Sequence, residues 1–590
     1  MKRLLSLAAL YLTLVCFLTE RAYSREIVFV HLDRQVLVSG ETIRFSARLM
    51  DLNPQTDHEK SSVLYLQIAG SDGSELLTVR SDIEENGTSY GCIMLPDTMA
   101  TGLYYLTAYT NCMRNYDPGW LWSSPLILVD RHESIDSLAF LNAASRSIDQ
   151  RIFFPERGSE ESTVDLEITT DKDWFGKREK VKVYLSLTGL ENVSSYADIS
   201  FSVSELAPFR FLQNEKLDIQ SFINSRKYAQ LYPEKTMTGN QPCRYLREDE
   251  GYILSGTIKE KSSDNILENA CVLLSTTDTV ANLKYSFTDT TGRFYFLLDR
   301  CYNNKELIIQ TKFDASYRGN TEIRIDDRSI VKPDVPPVKL TLDDSLRTFL
   351  SNHLTINLIN SSFRKNYYID EKPESNTCIN TGYDFFGKPD NIIYPSDFID
   401  LPNFNEVANN LIPYVRFRAD KNGTYTIQVP SSETHMYLSD ENALVLLNNI
   451  PLFDYGMLKN LNSKQIEKIK ICMRMMMYGD LQISGIISIT ADGDFLPFLT
   501  KENKVIQISN DVIKRDKGFV LQDYKDSNSS GTKLPDFRQT LYWDPDVRIK
   551  GNRLEIEFYT SDLKAAYEIK AQGLTGDGKP VYASKVINIQ

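Results

Sequence analysis

The pattern that most constrains this chain is written twice. It runs His31-Leu32-Asp33-Arg34, then Gly40-Glu41-Thr42-Ile43-Arg44-Phe45-Ser46-Ala47. It returns as Thr170-Asp171-Lys172, then Arg178-Glu179-Lys180-Val181-Lys182-Val183-Tyr184-Leu185. Each copy sets an Asp-basic pair ahead of a Glu at one fixed spacing, and each leads into a strand of alternating apolar and polar residues. A supersecondary unit that recurs implies recurring domains, and the unit here is the opening of a β-sandwich. The carboxylates fit a structural role, the Asp capping a turn and the Glu pairing with a base across strands. A ligand contact is the other reading.

At 590 residues the chain exceeds what one core holds and suggests about four or five domains. The formal net charge of −13 argues against a nucleic-acid or anionic-membrane partner, because phosphate binding needs a basic face. Residues 1–24 read as a signal peptide. Lys2 and Arg3 form the charged start, Leu4 to Leu18 the apolar stretch, and Ala22-Tyr23-Ser24 the small residues before cleavage. Cys16 lacks the Leu and the Gly or Ala that precede a lipidated cysteine. No later run is long enough for a transmembrane helix. Without the leader, Cys92, Cys112, Cys243, Cys271, Cys301, Cys378 and Cys472 form an odd set with no C-x-x-C spacing, so neither a zinc ribbon nor a disulfide framework is indicated. Cys92 and Cys112 fall near neighbouring strands and are read either as a pair or as two half-buried thiols.

The expected class is multidomain and mainly β. Residues 25–130 read as a first sandwich in which Ile43, Phe45, Ala47 and Leu49 face the core while Arg44, Ser46 and Arg48 face water. Residues 131–160 read as a linker with a short strand at Ile152-Phe153-Phe154. Residues 161–250 read as a second sandwich, with an irregular excursion over 206–250. Residues 251–330 carry short strands at regular intervals and form a third β-unit, and 331–382 read as a linker opened by the Pro-rich stretch Val331 to Val338. Residues 383–500 are α+β, with helices expected at Asn405 to Leu411 and Leu458 to Lys468 and buried strands at Leu444 to Leu447 and Ile486 to Ile489. Residues 501–590 read as a C-terminal β-domain.

Three resemblances follow these residues. Asp33-Arg34 with Gly40-Glu41-Thr42-Ile43-Arg44-Phe45, followed by Leu95-Pro96 and Gly102-Leu103-Tyr104, resembles the macroglobulin-type (Ig-like) domains of the alpha-2-macroglobulin family. The Cys-Gly-Glu-Gln thioester segment of that family is absent, so covalent protease trapping is not implied. Gly256-Thr257-Ile258, Glu268-Asn269-Ala270-Cys271-Val272 and Thr288-Asp289-Thr290-Thr291-Gly292-Arg293-Phe294 resemble a carboxypeptidase regulatory-like domain, a transthyretin-like sandwich without a peptidase site. Leu444 to Leu452, Leu461 to Ile471 and Tyr478-Gly479 with Ser484 to Thr490 resemble the plug domain of TonB-dependent outer-membrane receptors. The residues after 500 are too few for the receptor's barrel. The order of domains resembles a family of exported proteins of Gram-negative bacteria.

The sequence offers no Gly-x-Ser-x-Gly elbow and no phosphate loop. No catalytic, cofactor-binding or metal residue is assigned and no cofactor is expected. The five histidines are dispersed, and acidic clusters such as Glu248-Asp249-Glu250 read as solvated surface. Trp120 and Trp122, after Tyr116-Asp117-Pro118-Gly119, are the candidate contact aromatics, with packing between the first two domains as the alternative. Met475, in the run Met473 to Met477, offers either a soft contact surface or copper ligands, or fills a core-to-loop transition. Tyr478 sits in the plug-like signature and completes the candidate binding set.

The leading functional reading is a non-catalytic exported scaffold at the periplasmic face of the outer membrane. It would contact an envelope protein such as an outer-membrane receptor through the plug-like domain, and meet the membrane through partners only. The alternatives are non-covalent protease binding in the manner of macroglobulins and a glycan-active enzyme with an unrecognised pair of carboxylates.

Overall fold

The computed structural model describes residues 26–52, 60–70, 73–116, 118–132, 164–189, 196–208, 218–230, 245–261, 263–312, 321–326, 344–363, 383–412, 415–421, 423–429, 442–493, 495–497, 505–524, 534–551 and 553–590. The leader expected at 1–24, the strand expected at 152–154 and nearly all of the 131–160 linker lie outside the described residues. The chain forms two compact units. One comprises residues 1–250, 328–374 and 512–590, and the other residues 251–327 and 375–511.

The first unit is built on two sandwiches of the same topology. In the first, β1 (Glu26–Leu32), β3 (Thr42–Asp51) and β6 (Thr88–Met94) form a three-stranded sheet in the order β1-β3-β6. Its facing sheet has the order β2-β8-β7-β4-β5, from β2 (Val36–Val38), β4 (Val63–Gly70), β5 (Glu75–Asp82), β7 (Gly102–Tyr109) and β8 (Trp122–Val129). The second sandwich has β9 (Asp165–Thr170), β10 (Trp174–Phe175), β11 (Lys180–Thr188) and β12 (Tyr196–Glu205). It is completed by β13 (Thr540–Lys550), β14 (Arg553–Tyr559), β15 (Ala566–Thr575) and β16 (Pro580–Ile589). Its sheets run β9-β11-β14 and β10-β16-β15-β12-β13. Each strand of the first sandwich therefore has a counterpart in the second. Even the parallel pair β2–β8 recurs as β10–β16, in sheets otherwise antiparallel.

This corrects the domain boundaries read from sequence. Residues 161–250 do not complete a sandwich and 501–590 are not a separate domain, because strands from both make one core. Val181, Val183, Leu185 and Leu187 of β11 face Ile199, Phe201 and Val203 of β12 and Tyr567, Ile569 and Ile587 of the C-terminal strands. Burying each such aliphatic side chain contributes about 1.5–3 kcal/mol, so neither half is stable without the other. In the first sandwich β4 and β5 are joined by a tight hairpin, with Gly70 N–H donating to Ser74 O at 2.8 Å. In the second sandwich the same connection holds residues 206–539.

Among the described residues of the first unit two helices sit in that connection, where the sequence reading has an irregular excursion and a linker. Helix α1 (Ile219–Gln230) places Phe222 against Phe29 of β1, with ring centroids 5.7 Å apart. Helix α2 (Asp344–Phe363) buries Leu346 and Leu350 against Val36, Leu103, Tyr105, Ile127 and Val129 of the first sandwich. Its His353 meets Glu205 at the end of β12 at 3.0 Å.

In the second unit, residues 252–325 form a small sandwich. One sheet orders Arg293–Leu298, Tyr252–Glu260 and Thr321–Ile325; the other orders Leu283–Phe287, Cys271–Thr276, Glu306–Lys312 and Val505–Ser509. The last strand comes from the segment that the sequence reading gave to the C-terminal domain. Beside this sandwich lies a five-stranded sheet in the order Asn391–Ile393, Ile466–Cys472, Ile486–Ala491, Leu444–Leu447, Ile450–Leu452. Asn448 and Asn449, with φ of 49° and 67°, make the two-residue turn that joins its last two strands.

The expected cover of that sheet is corrected. Leu458 to Lys468 is not a helix. It is two 3-10 turns, Tyr455–Asn460 and Ser463–Gln465, followed by a strand beginning at Ile466. Asn462 caps the second turn and Gln465 closes a capping box, while Ile466, Ile469 and Ile471 favour a strand. The core is covered instead by α3 (Phe404–Asn410), through Phe404, Val407 and Ala408, and by the hairpin Arg416–Ala419/Tyr425–Gln428.

Candidate functional site

The repeated motif builds the same local structure in both sandwiches. Asp33 accepts the backbone N–H of Arg44 at 2.9 Å, and Asp171 accepts that of Lys182 at 3.3 Å. Glu41 accepts the N–H of Val38 at 3.0 Å and pairs with Arg34 at 3.2 Å. Glu179 accepts the N–H of Gly176 at 2.6 Å and pairs with Lys172 at 2.5 Å. The carboxylates hold the turn and the crossing into β3 or β11, which is the structural role expected of them.

In the first sandwich the motif carboxylates also meet other elements of their unit. Thr540 Oγ1 donates to Asp33 at 3.1 Å, and Arg44 pairs with Asp33 at 3.2 Å. Arg44 also donates to Gly518 O at 2.8 Å and lies 5.4 Å over the Phe519 ring. Asn357 of α2 donates to Glu41 at 2.9 Å, and Arg34 donates to Gln539. These side chains, with Arg131, Asn360, Asp536 and Arg538, line a cavity of about 130 Å³. Asp536 is itself fixed by Tyr524 at 2.6 Å and by Arg538 at 2.8 Å. Gly40, at φ +79°, closes one wall, and a Cβ there would collide with Asp97 and Arg131.

The same junction buries the face of β3 that the alternation assigned to water. Arg44, Ser46 and Arg48 are buried, and each makes a polar contact with the second sandwich or the segment before it. Ser46 Oγ donates to Pro545 O at 2.8 Å, and Arg48 pairs with Asp546 at 3.2 Å. His31 of β1 is buried with Ser200 Oγ at 2.7 Å and Ser202 Oγ at 3.1 Å, its ring 5.3 Å from that of Trp543. Burial, reinforced by Lys570, lowers the His31 pKa well below its usual 6.5 and keeps the imidazole neutral.

The residues singled out from sequence fall apart as a set. Trp120 and Trp122 are buried, which corrects their reading as exposed contact aromatics. Arg226 of α1 lies 5.7 Å over the Trp120 ring, and Trp122 packs edge-on against Phe29 at 6.4 Å. Trp120 thus fits the alternative of packing against the following segment, whereas Trp122 packs within the first sandwich. Tyr478 is half-buried, donates to Leu283 O at 2.5 Å and sits between Tyr285 and Phe385. Met475 and Met477 are exposed, while Met473 packs against the core of the five-stranded sheet. Cys92 and Cys112 are both free thiols. Burial pushes the Cys92 thiol up to about 11, and burial with Glu26 beside it pushes Cys112 up to about 12, so both stay protonated.

No family model matches the chain, and no curated protein matches it. Solved structures it is similar to include alpha-2-macroglobulin from Salmonella reacted with methylamine, at 10% identity and a TM-score of 0.22 over 96% of this chain and 39% of that one. Trypsin-activated alpha-2-macroglobulin from Escherichia coli gives 11% identity and a TM-score of 0.22, over 96% of this chain and 41% of that one. The chain thus spans about two fifths of the length of these neighbours. At such scores the likeness carries no argument, and the multidomain β-sandwich architecture stands on strand order and register.

In the second unit a different surface stands out. Strand Asn391–Ile393 ends the five-stranded sheet and, among the described residues, pairs on one side only, with Ile466–Cys472. Along it and just beyond, Ile392 is 49% exposed, Tyr394 45%, Phe398 55% and Ile399 80%. Sequence reasoning missed this run. Its signal was five large apolar residues, Ile392, Ile393, Tyr394, Phe398 and Ile399, in a short stretch bounded by Asn391 and Asp400. Among the described residues no cluster of His, Cys, Asp or Glu is arranged to hold a metal, and no helix is long and apolar enough to cross a membrane.

Proposed function

We propose that the chain is a non-catalytic exported binding and scaffold module of the cell envelope. It acts at the periplasmic face of the outer membrane, and the second unit makes the partner contact. On this reading residues 251–326 with strand Val505–Ser509 are the regulatory-like sandwich, and the five-stranded sheet with its covers is the plug-like domain. The observation that carries the reading is the open sheet edge with its apolar run Ile392, Tyr394, Phe398 and Ile399. An unpaired edge and a contiguous apolar patch are what an extended segment of a partner protein recognises, the first through main-chain hydrogen bonds and the second through side-chain burial.

Affinity purification of the full chain from its native envelope tests this. The double variant Ile392→Asp/Ile399→Asp is expected to lose the co-eluting envelope protein at least tenfold while its thermal unfolding is unchanged, because both side chains are exposed. Undiminished co-elution would move the contact to the sandwiches of the first unit and favour a protease-binding, macroglobulin-like role.

A further inference from the structure

We propose that the cavity lined by Arg34, Glu41, Arg44, Arg131, Asp536 and Gln539 binds a small carboxylate. The inference concerns the first unit alone and is independent of the partner contact above.

Every carboxylate oxygen at the wall is occupied by the protein. Glu41 takes Asn357 on one oxygen and Val38 N–H and Arg34 on the other. Asp536 takes the backbone N–H and Nε of Arg538 on one oxygen and Tyr524 and Arg538 Nη2 on the other. Asp33, behind them, takes Arg44 N–H on one oxygen and Arg44 Nη1 and Thr540 on the other. The donors are not used up. Arg131 has its ion pair with Asp97 at 3.0 Å, but its Nε is buried with no acceptor among the described residues. Gln539 is 5% exposed, and its Nε2 likewise has no acceptor. The orientation of that amide is fixed, because Arg34 can only donate and so must face Oε1.

A wall with surplus N–H donors and filled carboxylates selects a ligand that accepts. A planar carboxylate matches guanidinium and amide edges two oxygens at a time. The Phe519 ring and Val520 on one side suit a short aliphatic stem. The carboxylate can belong to a free small acid or to a peptide C-terminus, and the chemistry of recognition is shared.

Calorimetric titration of the full chain distinguishes these. The probes are succinate, an N-acetylated dipeptide with a free C-terminus, the same dipeptide as its amide, and inorganic phosphate. Saturable binding of succinate or of the free-acid dipeptide is expected, with no binding of the amide. Arg131→Gln should weaken it at least tenfold. Gln539→Glu, which keeps an acceptor for Arg34 but places a negative charge at the wall, should abolish it. Thermal unfolding of both variants checks that the fold survives, and a crystal structure with succinate gives a second readout if either fails to fold. Preference for succinate assigns a free acid, and preference for the dipeptide a chain terminus. Equal binding of phosphate, equal binding of the amide, binding unaltered by Arg131→Gln, or a cavity holding only water in the presence of millimolar succinate each overturns the proposal.

Discussion

The three-stranded sheets of the two sandwiches have one topology and opposite surroundings. In the second sandwich β9 and β11 alternate, with Leu166 and Ile168, then Val181, Val183, Leu185 and Leu187, facing in and their neighbours facing out. In the first, β1 is buried along nearly its whole length and β3 over most of its own. The outward residues of β3, including Arg44, Ser46 and Arg48, are as polar as those of β11, yet they are covered by the second sandwich and by residues 516–524. The motif carboxylates differ in the same way. The Asp33 side chain is fully buried and Glu41 keeps 12% of its side-chain surface in water, whereas Asp171 is exposed and Glu179 keeps 33%. The local geometry is thus a property of the turn, and its energetic weight is a property of what packs over it.

The largest expected contrast is between Asp33→Ala and Asp171→Ala. The first leaves the Arg44 guanidinium buried without its carboxylate, which costs about 3–5 kcal/mol. The second removes an exposed cap and should cost within about 0.5 kcal/mol. Urea unfolding of the full chain, followed by tryptophan fluorescence, reads both; similar midpoints would mean that the junction adds nothing to the motif. Next is Arg48→Ala against Lys182→Ala. Arg48 is buried against Asp546, and its removal should cost about 2–3 kcal/mol, part of it lost packing of the stem. Lys182, exposed between Glu555 and Glu557, should leave the midpoint where it was.

The smallest contrast is one of pH. Folding holds the His31 pKa below the ordinary 6.5, so below that pH the unfolded chain takes up the proton first. The stability tied to His31 is complete above about pH 6.5 and falls as pH drops toward the folded value, by up to about 1.4 kcal/mol per pH unit. His31→Gln should flatten the difference between midpoints at pH 7 and pH 5. A histidine placed at the equivalent exposed position, Thr169→His, should add no such dependence. A wild-type and His31→Gln pair with the same slope would show that the junction tolerates the charge.

What was legible in the sequence follows the same division. The repeat, its turn carboxylates and the alternation of β11 are local, and they read correctly. The pairing of β12 with β13 is not local, since the partners lie on either side of residues 206–539, and no periodicity points across such a gap. The alternation of β3 marked its polar face as wet because serine and arginine look the same whether water or a distant carboxylate satisfies them. Helix α2 left a trace, with Leu346, Leu350 and His353 at helical spacing, beyond a Pro-rich stretch that drew the reading toward a linker. Trp120 and Trp122 followed turn residues and were expected outside; Phe29 and α1 hold them in. The cavity was legible only in part. Asp33, Arg34 and Glu41 carried a motif, whereas Arg131, Asn357 and Gln539 reach the same place from separate segments with none.

The long connection inside the second sandwich also dictates an order of events. Closing β12 onto β13 across residues 206–539, if they were slack chain, would cost on the order of 4 kcal/mol more than the four-residue hairpin at the same place in the first sandwich. Prior folding of the second unit shortens that slack, so it becomes a precondition for rapid closure rather than a passenger. A chain emerging from its N-terminus would fold the first sandwich at once and carry β9 to β12 with an open edge until the last strands arrive. For that interval the unpaired edges of β12 are an aggregation-prone stretch of the molecule, and loss of β13 and β15, its two partners, would leave them so permanently.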